Sequence, residues 1–154
     1  MKHLLALAAV LLIAGCSSAP VPDAGNCSVC GKPNADGPEV RLVREGESGP
    51  GKQYRCFMCP IMEGLPEGGW TMRAVSGVDG TWVTFRSKDG RVESDPATAV
   101  LLAMDVSPGA ECLNVHRVFA DEDEFRRYLA AHPDLKSSNP KPQKFQDVLG
   151  GKSK

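Results

Sequence analysis

Cys27-Ser28-Val29-Cys30-Gly31 and, after a gap of 25 residues between Cys30 and the next cysteine, Cys56-Phe57-Met58-Cys59-Pro60 are the stretches that decide how this chain is read. Two C-x2-C pairs at such a separation are a strong four-thiolate metal signature. A pair on a tight turn aims two sulfurs at one ion, and two pairs complete a tetrahedron with Zn–S distances of about 2.3 Å. Gly31, directly after Cys30, permits the turn. Cys27, Cys30, Cys56 and Cys59 are therefore candidate ligands of one metal ion, Zn2+ or Cu+, with Tyr54 and Phe57 as candidate shields.

Between the pairs, Glu39 to Arg44 alternates apolar and charged residues, as a half-exposed strand does. Glu45 to Gly51 is turn chemistry, and Lys52 to Arg55 leads back into Cys56. Pro60 follows Cys59 where the start of a helix tolerates proline. The order is knuckle, hairpin, then a second pair opening a short helix, and it resembles the treble-clef arrangement.

Further along, Trp70–Val75, Thr81–Phe85 and Arg91–Glu93 are strand-like runs parted by Asp79-Gly80 and Asp89-Gly90, which favour hairpin turns. They predict a three-stranded meander. Ser94-Asp95-Pro96 reads as a cap opening a helix through about Met104, with Val100, Leu101 and Met104 on one face. Cys112 to Phe119 alternates as a strand. Asp121 is a candidate N-cap with Glu124 three residues on, and Phe125, Tyr128, Leu129 and His132 form a core-facing stripe that Pro133 stops. Lys136 to Lys144 reads as a loop before a short last element at Phe145 to Leu149. The expected fold is α+β: a small treble-clef-like four-cysteine knuckle and hairpin region, followed by an antiparallel meander with two helices.

The N-terminus bears on where the cysteines act. Met1-Lys2-His3 gives a positive start, Leu4 to Ile13 is unbroken and apolar, and Ala14-Gly15-Cys16 closes the run. This pattern is a secretory signal, too short to span a bilayer. A cysteine directly after Ala-Gly resembles the bacterial lipoprotein signal, which implies that Cys16 becomes the lipidated first residue of the mature chain. Ser17 and Ser18, with no Asp beside them, favour the outer membrane facing the periplasm by the same resemblance. Residues 1–15 are then a signal peptide and 16–25 a Pro- and Ser-containing tether. Residues 26–149 form a single metal-binding domain, made of a treble-clef region (26–66) and an α+β region (70–149), and 150–154 are a tail. No later segment is long and apolar enough to span, so membrane contact is expected through the lipid on Cys16.

An oxidising compartment keeps alternatives open. Secreted chains with paired cysteines commonly carry disulfides, and either a structural four-cysteine zinc or disulfides, as C-x2-C bridges or cross-paired, would staple the region as an interaction module of an envelope lipoprotein. A thiol redox protein is the third reading, although Gly64, Pro66, Gly68 and Gly69 cut short the helix that thioredoxin-like chemistry uses to acidify its thiolate. Neither pair is followed by His, which excludes c-type haem. Rubredoxin also joins two such pairs, but carries Gly after the second Cys of each, where Pro60 stands here.

The Cys27–Gly31 knuckle, its hairpin and the plan out to Val148 resemble the NosL family of copper-binding periplasmic lipoproteins, which serve assembly of nitrous oxide reductase. Val118-Phe119, Asp123-Glu124-Phe125 with Tyr128-Leu129, and Phe145 to Val148 are similar to that family's closing strand, helix and strand. The resemblance implies a copper chaperone or accessory factor whose partner is a client metalloenzyme of the envelope. The family reads C-G-M after its first pair, whereas Lys32 stands here. Methionine appears instead at Met58 and Met62, as a soft thioether for Cu+ or as core filler.

No catalytic grouping emerges: the chain lacks H-E-x-x-H, a phosphate-cradling glycine loop and a Ser-His-Asp set, so a non-enzymatic protein is expected. Eighteen basic against nineteen acidic residues leave no footprint for nucleic acid. Cys112 and His116, four apart on one expected strand, are read either as extra ligands or a Cys–His pair, or as a buried thiol and a polar neighbour. His132 at a helix end meets the dipole favourably.

Overall fold

The computed structural model describes residues 25–104 and 116–150 of the 154-residue chain. Residues 1–24 with the lipidation candidate Cys16, the stretch carrying Cys112, and residues 151–154 lie outside the described residues.

The hairpin between the cysteine pairs is made of β1 (Val40–Arg44) and β2 (Lys52–Tyr54), and α1 (Met58–Glu63) follows the second pair. Alternation in β1 buries Val40 and Leu42 and leaves Arg44 exposed, as a strand with one wet face requires. Pro60 is the third residue of α1 rather than the first. Its missing N–H costs nothing there either, because no backbone N–H in a helix's first turn has an intrahelical acceptor.

The meander forms as β3 (Trp70–Val75), β4 (Trp82–Lys88) and β5 (Arg91–Asp95), all antiparallel. Asp89 and Gly90 both take positive φ, 52° and 74°, the pairing that a two-residue hairpin turn demands. Hairpin and meander are one sheet of order β2-β1-β3-β4-β5, because β1 pairs with β3 along its whole length. Cross-strand rows Val40–Ala74–Val83 and Leu42–Met72–Phe85 build its inner face. Phe145 packs on that face, 4.6 Å from Phe85 and 5.9 Å from Trp70 between ring centroids. The knuckle cysteines belong to the same core.

A second sheet of order β7-β6-β8 joins β6 (Val100–Ala103), β7 (Val118–Phe119) and β8 (Lys141–Gln143). The helix expected from Pro96 through Met104 is instead a turn over residues 96–99 followed by the strand β6. Val100 and Leu102 face Phe119, Phe125 and Tyr128, while Leu101 faces the main core. A run buried on both faces is apolar throughout, and a continuous apolar run does not separate strand from helix by its period. Asp95 is meanwhile held in β5 opposite Thr84, unavailable as a cap. Only Val118–Phe119 of the strand expected over 112–119 is seen as strand among the described residues.

α2 (Glu122–Ala131) starts as its sequence indicates, with the Asp121 side chain accepting from the Glu124 N–H at 2.7 Å. It ends before Pro133, but residues 133–144 are not a plain loop: Pro133–Ser138 forms a 3-10 helix and Lys141–Gln143 is β8. The final element is α3 (Phe145–Gly150), a helix where the family resemblance implied a strand.

Candidate metal centre

The first knuckle is closed by its own backbone. Gly31 N–H donates to Cys27 O at 2.8 Å and Cys27 N–H to Lys32 O at 2.9 Å, with Gly31 at φ 67°. A residue with a Cβ is strained at that φ, so glycine there keeps Cys27 and Cys30 on one side of the turn. The second pair bends at the entry to α1, where Cys59 N–H donates to Cys56 O at 3.2 Å. An isolated bridge between Asn26 and Pro33 ties off the knuckle's base.

These turns bring Cys27, Cys30 and Cys59 together, with their sulfurs all within 4.8 Å of one another. Three thiols from two distant segments are close enough to hold a metal ion. Four sulfurs around zinc at about 2.3 Å would stand about 3.8 Å apart, so the cluster needs only a small contraction to close on an ion. Cys56 flanks the trio, its Sγ 3.4 Å from that of Cys59. Cys27, Cys56 and Cys59 are buried and Cys30 is half-buried, so the ion would be reached past Cys30. None of Cys27, Cys30, Cys56 and Cys59 is joined in a disulfide in this structure, the arrangement that the disulfide-stapled alternative would require.

Burial opposes ionisation of Cys27, but backbone N–H groups of Arg55, Cys30 and Val29 directed at its sulfur outweigh it and lower the thiol pKa. Cys56 is pulled down to about 4, first by its hydrogen bond with Cys59 and, against the cost of burial, also by His116. Cys59 is pushed up because it supplies that shared proton and is itself buried beside a second thiolate. One proton held between two sulfurs is what a metal displaces on binding, since the ligand is the thiolate.

Tyr54 and Phe57 are both buried beside the cysteines, as expected of shields. Tyr54 does more than exclude water. Its hydroxyl donates to Glu63, the last residue of α1, which also accepts from Lys52 and, at 3.3 Å, from Ser28 of the knuckle. Burial and the neighbouring carboxylate raise the Tyr54 pKa. Glu63 therefore clamps the knuckle, β2 and the helix bearing Cys59 into one unit. Sequence reading missed it, because an acid at a helix end carries no motif.

Met62 is 67% exposed and Met58 packs partly buried against the core. Met62 is thus no core filler. His116 lies just before β7, and the Cys112 that the sequence places four residues before it is outside the described residues. Its Nδ1 lies 3.9 Å from Cys56 Sγ, and its ring meets Phe57 edge-on at 6.0 Å. Sixty residues separate His116 from Cys56, and no spacing signal spans that distance. His132 lies on Tyr128, with rings 4.1 Å apart and its Nδ1 donating to the Tyr128 carbonyl. No family model, curated protein or solved structure matches this chain.

Proposed function

We propose that this chain is a lipid-anchored metal-binding protein of the bacterial envelope, in which Cys27, Cys30, Cys56 and Cys59 hold one Zn2+ or Cu+. It acts without catalysis of its own, as a copper chaperone or accessory factor for an envelope metalloenzyme. The observation that carries the reading is the convergence of Cys27, Cys30 and Cys59 within 4.8 Å from two separate segments of the chain. Soft thiolates select Zn2+ and Cu+ over hard cations. The signal-like start, Cys16 and the resemblance to NosL supply the anchor, the periplasmic side of the outer membrane and the client.

Metal analysis of protein purified anaerobically, paired with a free-thiol count, tests this. One ion per chain with no blocked thiols at these four positions supports it, and metal-free protein with all four blocked overturns it. Replacing Cys16 with Ala should abolish acylation and leave uncut precursor. Wild-type protein recovered without lipid refutes the anchor.

A thiol redox role is the second reading, favoured by the 3.4 Å between Cys56 and Cys59 and by their opposite pKa shifts. It requires a disulfide confined to that pair that cycles with a thiol buffer. The six-residue α1 speaks for metal, since it offers a much shorter dipole than the long helices that activate such thiolates.

A further inference from the structure

We propose that His116 is a further ligand of the centre, its imidazole Nδ1 exchanging with a cysteine thiolate in the coordination sphere of the same ion. The inference rests on the metal-binding reading above and extends its donor set. Two distances carry it. His116 Nδ1 and Cys56 Sγ are 3.9 Å apart. At a metal–sulfur distance of about 2.3 Å and a metal–nitrogen distance of about 2.0–2.1 Å, an ion bridging them would subtend about 125–130°, an angle that four- and three-coordinate Zn2+ or Cu+ both tolerate. Cys59, which belongs to the trio, is 3.4 Å from Cys56, so the Cys56–His116 pair adjoins the trio through a shared neighbour.

The position of His116 is also held. Arg117 O accepts from Leu102 N–H at 2.9 Å and Val118 O from Gly77 N–H at 2.9 Å, pinning the backbone just after it, while Phe57 abuts its ring. The centre therefore offers five donors to an ion that takes four. The Cys27–Cys30–Cys59 trio forms one end of this array and His116 the other. Such an array lets an ion change partners without ever losing its coordination, as a carrier requires. The exchange needs no redox step. A neutral imidazole with its proton on Nε2 presents the Nδ1 lone pair to the metal, and the displaced thiolate leaves with its own electron pair. Imidazole and thiolate together suit Zn2+ and Cu+, not Ca2+ or Mg2+.

Co2+ titration of the full chain in detergent, under anaerobic reducing conditions, tests this. Imidazole splits the cobalt d levels more than thiolate does. His116→Ala and His116→Gln should therefore move the d–d bands to lower energy, toward an all-sulfur spectrum, as the four thiolates take over the ion. His116→Cys should give the same all-sulfur spectrum. Affinity loss alone does not suffice, because a hydrogen-bond partner of a ligand produces the same loss. Bands identical in wild type and both non-ligating variants overturn the proposal and leave the thiolate centre standing. A wild-type protein with no thiolate-to-cobalt charge-transfer band overturns the metal-binding reading, and this inference with it.

Discussion

Replacing Glu124 with Gln probes the joint that holds the segment bearing His116 against the main sheet. Glu124 is 1% exposed. One carboxylate oxygen accepts from the Ser76 hydroxyl and from the N–H groups of Val78 at 3.2 Å and Asp79 at 3.0 Å, and the other accepts from Ala120 N–H at 2.6 Å. All four partners are donors, so the amide nitrogen of Gln must face at least one of them. Leaving one buried donor unmet costs about 1–3 kcal/mol, and the remaining bonds weaken from charge-assisted to neutral strength. The relief of not burying a charge offsets part of this, which leaves a net loss of about 2–4 kcal/mol. With a urea m-value of about 2 kcal/mol/M, the unfolding midpoint should fall by about 1–2 M. The acid limb gives a second check. Burial raises the Glu124 pKa, but the bonds from Ser76, Ala120, Asp79 and Val78 outweigh it and hold the carboxyl below the usual range. A depressed carboxyl contributes stability above its unfolded pKa of about 4.3, and this is lost as pH falls through the lower folded value. The gap between wild type and Glu124→Gln should therefore be full near pH 6 and narrow below about pH 4. A midpoint shift under about 0.3 M at pH 6, or a gap that persists unchanged into acid, refutes the argument.

Three further outcomes can be measured. Gly37→Ala would set a Cβ 2.4 Å from the Arg55 carbonyl oxygen, on the stretch leading into Cys56. It should lower stability by about 1–3 kcal/mol, and an unchanged melting temperature counts against the packing described here. Stripping metal with a chelator, thiols kept reduced, should lower the melting temperature, since free metal at about 100 times its Kd adds about 2.7 kcal/mol. A melting curve indifferent to metal argues that the cluster holds none. Replacing Met58 and Met62 together with Leu should leave metal binding and selectivity unchanged, because Met62 is largely exposed and Leu replaces Met with little loss of packing. A selective loss of Cu+ binding over Zn2+ would make a thioether a ligand.

Local chemistry made much of this protein legible in its sequence. The paired cysteines, Gly31, the turn dipeptide Asp89-Gly90 and the Asp121 cap act within a few residues of themselves, and each appears where short-range geometry requires it. The strands of the meander show the alternation of half-buried sheet, and α+β architecture follows from them. Where burial is two-sided, that signal vanishes. Val100 to Ala103 has no polar face to reveal its period, and only the packing of Leu101 on one core and Leu102 on another makes it a strand.

Contacts across long separations were decided by the tertiary structure alone. The pairing of β1 with β3 merges hairpin and meander into one sheet. Glu63 gathers Ser28, Lys52 and Tyr54 around the cysteines, Glu124 collects donors from two loops, and His116 comes to Cys56 across sixty residues. A carboxylate or an imidazole is a generic surface residue in one dimension. What makes it a clamp, a buried acceptor or a candidate ligand is the set of donors and sulfurs that folding places within about 4 Å of it, and no local pattern encodes that set.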